Sequence, residues 1–355
     1  MTTSESEPHR ILDRPTVATD FLEKIHCLKH LLTRDLIACD AKWTIFVSAA
    51  LSYRFESQLK PFPPRFENEQ GGCNIETLVV IINETPKLKI LLKNIVDENY
   101  DELDTEVVDL IYWVLVTLRD PYVRSVDSEE YESIMSKIPQ KNDAICPSHI
   151  FALCPTTNSK SEEVFQKEKE NYSSKFAFHG SKLDSFYSII THGLHQHMCK
   201  NGLFGDGVYL SSELSVSMGY SPYGAGWGAS SCGAMISCVA LCEYVENPNH
   251  VKFKKDEKHK TDIPNTYIVI TNNDVVRVRY LLFYGREFPD ENSARSVVVD
   301  WVSRNRYTLS LVCYTLFLAS IGLANSGNGL YLKHVIAKNT KYALGVLKKL
   351  LLGYT

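Results

Sequence analysis

The chain lacks the patterns that would assign it to several common classes of protein. Its 355 residues include ten cysteines, yet no Cys-x-x-Cys pair occurs, so the sequence predicts neither a zinc module nor a disulfide scaffold. The formal net charge is −4, which excludes the basic footprint that nucleic-acid binding requires across a whole domain. We therefore expect reduced thiols, no metal and no nucleic-acid partner.

Charge is also missing from one long stretch near the C-terminus. Residues 307–324, YTLSLVCYTLFLASIGLA, contain no charged side chain. At about 1.5 Å per residue, a helix of this length nearly spans a hydrocarbon core of roughly 30 Å. No secretory signal opens the chain, so the run predicts a transmembrane anchor inserted after translation, with the preceding residues in the cytosol and 325–355 on the lumenal side. The alternative is a buried core helix.

The first half of the chain has the apolar spacing of helices. Leu22, Ile25, Leu28 and Leu32 recur at helical intervals after a capping-box-like Asp20, and EVVDLIYWVLVTLRDP is too short to cross a bilayer. We predict an all-helical domain over 18–138, built as a small bundle. Residues 1–17 are too polar to pack and are expected to be disordered, and 289–306 are expected to link the folded part to the anchor.

The sequence changes character after the polar segments IPQKNDAICPS and TTNSKSEEVFQKEKENYSS. Short segments rich in β-branched and aromatic residues follow: HIFALCP, KFAFHG, GDGVYLSS, AMISCVALCEYV, NTYIVITNN and VVRVRYLLFYG. The last two are expected to form a hairpin around TNND. With only two short helices between the strands, residues 147–288 are predicted to form a mainly antiparallel α+β domain.

A histidine and a glycine lie where one of these strands ends. KFAFHGSKLDSFYSIITHGL places His179 and Gly180 before a short helix, for which Ser181 and Asp184 are predicted caps and Gly193 the end. A glycine there lets a ligand approach the backbone closely. By itself, a histidine at a strand end is more often structural than functional.

Two tyrosines follow in LFGDGVYLSSELSVSMGYS. Tyr209 lies on a predicted strand, and Ser217 and Tyr220 are three residues apart on a short helix that Ser212 is expected to cap. Such a pair of tyrosines could hold a flat ring between them. Core or surface packing of each tyrosine is the alternative.

Two other segments suggest a ligand site at first sight. HGLHQHMC brings His192, His195, His197 and Cys199 together, but their spacing fits no common zinc ligand set and indicates a polar loop. GYSPYGAGWGAS is rich in glycine, but no lysine stands where a phosphate-binding loop needs one. Neither segment is expected to be catalytic.

Taken together, FHGS, FGDGVYLS and SMGY resemble the signature of the poly(ADP-ribose) polymerase family. The resemblance covers about residues 148–285, and the helical N-terminal part and apolar C-terminal run extend it over nearly the whole chain to a tail-anchored member of that family. It implies an ADP-ribosyltransferase catalytic domain with NAD+ as co-substrate. Acceptor proteins are the implied partners.

The resemblance also implies a role for each matching residue. His179 would hydrogen-bond the adenosine ribose of NAD+, with Ser181 beside it. The Gly180 backbone and Ser217 would bind the nicotinamide carboxamide. Tyr220 would stack on the nicotinamide ring, and Tyr209 would line the pocket from the other side.

One position departs from the polymer-forming members of the family, which carry a glutamate in a strand near the end of the domain. Here that strand is NTYIVITNN, with Tyr267 at the position, or Thr266 if the match is one residue off. A phenol with an ordinary pKa of about 10 is a poor base at neutral pH. The triad His179, Tyr209, Tyr267 therefore predicts transfer of a single ADP-ribose without elongation.

These observations predict a mono-ADP-ribosyltransferase anchored in the endoplasmic reticulum membrane or nuclear envelope and facing the cytosol. Its expected acceptors are proteins associated with that membrane, and the enzyme itself. The lysine-rich loop NHVKFKKDEKHKTDIP is expected to face the acceptor, or else to be a solvated surface loop. An inactive, membrane-tethered module that binds NAD+ or ADP-ribose is the alternative. A purely structural membrane protein would leave the site residues unexplained.

Overall fold

The computed structural model describes residues 20–68, 72–118, 121–136, 145–156, 159–195, 204–252 and 263–286. All of these belong to one compact unit, residues 1–288. The predicted disordered N-terminus, linker, anchor and lumenal tail lie outside the described residues, and so does most of the lysine-rich loop. Among the described helices, none is long and apolar enough to cross a bilayer.

The described helices form two groups along the chain, one before residue 140 and one after it. The first group is α1 (Phe21–Arg34), α2 (Leu36–Ala50), α3 (Phe55–Gln58), α4 (Ile75–Glu84), α5 (Leu88–Val96), α6 (Thr105–Tyr112) and α7 (Ser128–Ser136). The second group is α8 (Lys160–Asn171), α9 (Phe186–His192) and α10 (Leu214–Met218). A π-helical turn, Trp113–Thr117, extends α6, so the two form one continuous helical rod.

Helix α2 is the centre of the helical part. Thirteen of its fifteen residues are buried, because other helices and the sheet surround it. The side chain of Asp35 caps it, accepting a hydrogen bond from the backbone N–H of Ala38 at 3.0 Å. On the sheet side, Trp43 meets Trp227 edge-on with ring centroids 6.1 Å apart. The helices and the sheet therefore share one core.

Nine described strands form one antiparallel sheet. They are β1 (Tyr122–Ser125), β2 (His149–Cys154), β3 (Ser174–Gly180), β4 (Val208–Ser211), β5 (Gly224–Ala225), β6 (Met235–Val245), β7 (Val251–Lys252), β8 (Tyr267–Ile270) and β9 (Val276–Arg286). Their order is β1-β2-β9-β6-β3-β4-β8-β7, with β5 paired to β6. The predicted α+β class with mainly antiparallel strands is confirmed.

The predicted hairpin around TNND is wrong. β8 pairs with β4 and β7, whereas β9 pairs with β2 and β6, so three strands separate the two. The turn residues act as expected, since the Asn272 side chain accepts from the N–H of Asp274 and a 3₁₀ turn follows. After that turn the chain crosses the sheet to reach β6. There β9 pairs with β6 along most of the length of both strands, which have eleven residues each.

Two elements differ from the predicted layout. β1 lies inside the segment predicted to be all-helical, and Asp35 holds it by accepting from the Ser125 N–H at 2.7 Å. The polar segment TTNSKSEEVFQKEKENYSS, for which no helix was predicted, contains α8. Phe165 is the one fully buried residue of α8, so the helix has no apolar face to pack on the sheet. Ion pairs such as Glu162 to Arg279 hold it there.

The predicted helix caps were less accurate than the helices themselves. Asp20 precedes α1 but makes no side-chain capping bond. A 3₁₀ turn, Leu183–Ser185, leads into α9 without a cap from Ser181, while Gly193 ends α9 with a φ of +85° as expected. Glu213, in place of Ser212, is the residue before α10.

Candidate active site

One cavity of about 680 Å³ lies between the ends of β3, β4 and β8, helices α9 and α10, and the turn after α2. All of the predicted site residues line it: His179, Gly180, Ser181, Tyr209, Ser217, Tyr220 and Tyr267. Thr266 is not among the described lining residues, which favours Tyr267 for the third triad position. The sequence patterns thus converge on one place.

His179 is fixed in a single orientation by the neighbouring strand. Its Nδ1 lies 2.9 Å from the carbonyl oxygen of Tyr209. A carbonyl oxygen only accepts hydrogen bonds, so Nδ1 carries the proton. Burial lowers the pKa of His179 below its ordinary value, although the bond to Tyr209 acts in the opposite sense. In this neutral form, Nε2 keeps a lone pair that can accept a hydrogen bond from a hydroxyl group.

Gly180 is the last residue of β3 and lies beyond the point where β3 pairs with β4. β4 pairs with β3 only at Phe178 and Ser211, so between the described strands the β4-facing edge of β3 is free at Gly180. A side chain could not be accommodated there, because a Cβ on Gly180 would lie 1.9 Å from the carbonyl oxygen of Ser217. The glycine therefore allows α10 to approach the backbone and leaves main-chain groups open to a ligand.

Ser217 and Tyr220 lie beside Gly180 in the cavity wall. Ser217 is buried in α10, whereas Tyr220 lies just beyond the end of that helix, which corrects the prediction that both belong to it. They remain neighbours, since the N–H of Tyr220 donates to the Ser217 carbonyl oxygen at 3.0 Å. The side chain of Tyr220 is 56% exposed, so its ring is available to a ligand.

The other aromatic rings form a row along the cavity. The ring of Phe204 is stacked with that of Tyr209, with centroids 6.3 Å apart, and its centroid lies 5.7 Å from that of the Tyr267 ring. The hydroxyl of Tyr209 accepts from the Phe204 N–H at 2.8 Å and donates to the Gly205 carbonyl at 2.6 Å, which holds this loop against the strand. Hydrogen bonding to Tyr220, and then burial, raise the pKa of Tyr267.

Sequence reasoning missed several lining residues, chiefly Arg54, Gln58 and Phe204. Arg54 and Gln58 come from the helical part, and no motif links them to a histidine more than a hundred residues away. Among the described lining residues there is no aspartate or glutamate. The described part of the cavity wall therefore offers no carboxylate that could act as a base.

In the histidine-rich segment, His192 is the last residue of α9 and the described residues that follow it form a loop. Nδ1 of His195 accepts from the Asn273 amide at 2.8 Å, and its Nε2 donates to the His192 carbonyl at 2.8 Å. His197 and Cys199 lie outside the described residues. In the part of the chain that is described, no group of three or more histidine, cysteine, aspartate or glutamate side chains could hold a metal ion.

Comparison with known proteins agrees with this geometry. Residues 30–115 match the model of the ARTD15 N-terminal domain, and residues 128–262 match that of the poly(ADP-ribose) polymerase catalytic domain. The second match ends just before Tyr267, so the third triad position depends on the structure.

Curated relatives extend the similarity to most of the chain. The human protein mono-ADP-ribosyltransferase PARP16 is 35% identical over 312 residues, which covers 82% of this chain and 92% of the relative. Its mouse counterpart is 33% identical over 311 residues, with 83% and 92% covered. The mouse protein mono-ADP-ribosyltransferase PARP8 is 22% identical over 260 residues, covering 64% of this chain and 28% of that protein. The chain therefore belongs to the poly(ADP-ribose) polymerase family, and its catalytic domain is that of an ADP-ribosyltransferase, which uses NAD+ as substrate.

Proposed function

We propose that the protein transfers a single ADP-ribose from NAD+ to acceptor proteins, including itself, and releases nicotinamide. The observation that carries this proposal is the convergence of His179, Gly180, Tyr209, Ser217 and Tyr220 on one cavity. An inactive binding module would have no need for a complete nicotinamide clamp. The names of the relatives, protein mono-ADP-ribosyltransferases, point the same way.

His179 binds the adenosine ribose of NAD+. Its Nδ1 is engaged by the Tyr209 carbonyl, so Nε2 is the acceptor for a ribose hydroxyl. The lowered pKa supports this role, because a protonated imidazole would have no lone pair left to accept with. Ser181 lies next to it in the cavity wall.

Gly180, Ser217 and the two tyrosines hold the nicotinamide group. The open strand edge at Gly180 offers an N–H and a C=O to the carboxamide, and Ser217 adds a hydroxyl. An analogue without the carboxamide would leave these buried groups unpaired at a cost of about 1–3 kcal/mol. Tyr209 and Tyr220 confine the ring, which fixes the C1′–N bond that must break.

The reaction stops after one transfer because the described part of the site has no carboxylate base for elongation. A sugar hydroxyl must lose its proton to attack the C1′ carbon, and the group at the third position is the phenol of Tyr267. The described lining residues include no carboxylate, and the pKa of Tyr267 is raised, so its basic form is scarce at neutral pH. An acceptor carboxylate is already ionised and can attack without deprotonation.

Residues 307–324 anchor the enzyme in the endoplasmic reticulum membrane, or in the nuclear envelope that is continuous with it, with the catalytic domain in the cytosol. The support is the uncharged run of eighteen residues in the sequence. In alkaline extraction of membranes, the full chain should stay in the pellet, and a chain that ends before Tyr307 should be released. Release of the full chain would refute the anchor.

Labelled NAD+ tests the catalytic proposal. With the label in the adenylate part, wild-type protein should become labelled and release nicotinamide. His179→Ala and Tyr209→Ala should lose both signals. Thermal stabilisation by NAD+ without nicotinamide release would indicate the inactive binding module instead.

A further inference from the structure

We propose that Arg54, which the helical part of the chain contributes to the cavity, binds the diphosphate of NAD+. Arg54 lies in the turn between α2 and α3, and it lines the cavity together with Gln58, His179 and Ser181. The proposal deepens the one above and rests on it, since it requires the cavity to bind NAD+. It gives the helical part a direct role in substrate binding.

The charge of the cavity wall is the first argument. Among the described residues that line the cavity, Arg54 is the only lysine or arginine, and no aspartate or glutamate is present. The diphosphate of NAD+ carries two negative charges into this space. A buried anion without a cationic partner is strongly disfavoured. The guanidinium of Arg54 is the group that meets this requirement among the described residues.

The second argument is that the guanidinium is held loosely and keeps donors available. Its Nη2 lies 3.4 Å from both carboxylate oxygens of Asp184. Strong bonds between arginine and carboxylate have distances of about 2.7–2.9 Å. Asp184 is engaged more closely by the Ser52 hydroxyl, at 2.7 Å. A diphosphate that offers shorter bonds can therefore replace this weak contact.

The buried part of the side chain supports the same conclusion. Nε of Arg54 is shielded from solvent and has no hydrogen-bond partner among the described residues. An orphaned buried donor is unfavourable, and a ligand oxygen would satisfy it. Phosphate oxygens suit this geometry, because the planar guanidinium can present two parallel N–H groups to them.

The position of Arg54 is fixed by its surroundings. The turn follows α2, which is buried on all sides, and the N–H of Arg54 donates to the Ser52 hydroxyl at 3.2 Å. The guanidinium also lies over the ring of Tyr53, 5.7 Å from its centroid. The side chain thus starts from a rigid point and only its end has to turn toward a ligand.

Two probes separate diphosphate binding from the rest of the site. ADP-ribose carries the diphosphate and lacks nicotinamide, whereas nicotinamide carries no phosphate. Calorimetry on the full-length protein would measure both dissociation constants, and initial rates would give KM and kcat for NAD+. For Arg54→Gln we expect ADP-ribose affinity to fall and KM to rise by about tenfold or more, corresponding to one charged hydrogen bond. Nicotinamide affinity and kcat should change by less than about threefold.

Two control variants test whether Arg54 acts only as a tie between the helices and the sheet. Asp184→Asn removes the carboxylate that Arg54 contacts and leaves the cationic group of the cavity in place. Arg65→Gln removes a different arginine of the helical part, one that pairs with Glu106 and Asp109. Both variants should bind ADP-ribose as the wild type does, and Arg54→Lys should recover part of the lost affinity.

Each outcome decides the question. Wild-type ADP-ribose affinity in Arg54→Gln, or an equal loss in Asp184→Asn, would overturn the role of Arg54 and leave the proposed function intact. Parallel loss of ADP-ribose and nicotinamide binding in Arg54→Gln would show a distorted pocket and also overturn it. If the wild-type protein bound neither probe, the proposed function itself would fail.

Discussion

The hydroxyl oxygens of Tyr220 and Tyr267 lie 3.5 Å apart across the mouth of the cavity. Tyr267 comes from the start of β8 and Tyr220 from the turn after α10, so the pair joins two elements that approach the cleft from different sides. In the triad proposed above, the phenol of Tyr267 takes the third position. The consequences for catalysis can be measured.

Replacing Tyr267 by phenylalanine should leave the chemical step almost unchanged. If the phenol is not a base, kcat for transfer to protein acceptors should stay within about threefold of the wild type, because a general base contributes about 10²–10⁴-fold. Tyr267→Ala serves as the comparison, since it also removes the ring next to Phe204. A fall of more than a hundredfold in Tyr267→Phe would show that the hydroxyl takes part in catalysis.

Replacing Gly180 by alanine should damage the site severely. The added Cβ would lie 1.9 Å from the Ser217 carbonyl oxygen and 3.0 Å from the Tyr220 Cβ, so α10 would have to move away. We expect a loss of about 1–3 kcal/mol of stability and at least about tenfold in kcat/KM.

Gly228→Ala is the matched control, because a Cβ there meets nothing within 4 Å. Thermal unfolding and NAD+ kinetics on both variants make the comparison. Equal activity of the two variants would mean that the close approach at Gly180 is not needed.

The affinity for NAD+ should depend on pH through His179. Its folded-state pKa is lowered by burial, so the neutral ring persists to a lower pH than in the unfolded chain, where the pKa is about 6.5. KM for NAD+ should therefore stay flat from about pH 8 to about pH 6.5 and rise at lower pH, when the acceptor at Nε2 is lost.

The same shift has a consequence for stability with a defined sign. The unfolded chain binds the proton first as pH falls, so the contribution of His179 is fully present above about pH 6.5 and is lost below it. Unfolding at several pH values should show a smaller loss of stability in His179→Gln than in the wild type. His26→Gln, on the exposed side of α1, should behave like the wild type. An identical pH dependence of stability in His179→Gln and the wild type would contradict the assignment.

The helical part and the sheet should unfold together. Trp43 on α2 is fully buried and contacts Trp227, so Trp43→Ala should cost about 3–5 kcal/mol and shift one transition for the whole folded unit. Tyr53→Ala, at an 84% exposed position, should change stability by less than about 0.5 kcal/mol. Calorimetry that resolved two separate transitions would contradict a shared core.

Some features of the fold are encoded locally in the sequence, and others depend on contacts between distant segments. Short motifs with fixed spacing identified the cavity residues, because each motif includes its own strand or helix end. The position of β8 in the sheet could not be read in this way, since strand order depends on contacts between distant segments. Helix α8 gave no apolar period because it is fixed by ion pairs such as Glu162 to Arg279. Arg54 belongs to no local motif either, because its partner Asp184 is 130 residues away in the chain.

The number of ADP-ribose units on each modified side chain tests the central claim most directly. After a reaction with NAD+, enzymatic digestion of the modified protein and mass spectrometry of the adducts would count these units. The account predicts one unit per modified side chain in the wild type and none in His179→Ala. Chains of two or more linked units, or modification that persists in His179→Ala, would contradict it.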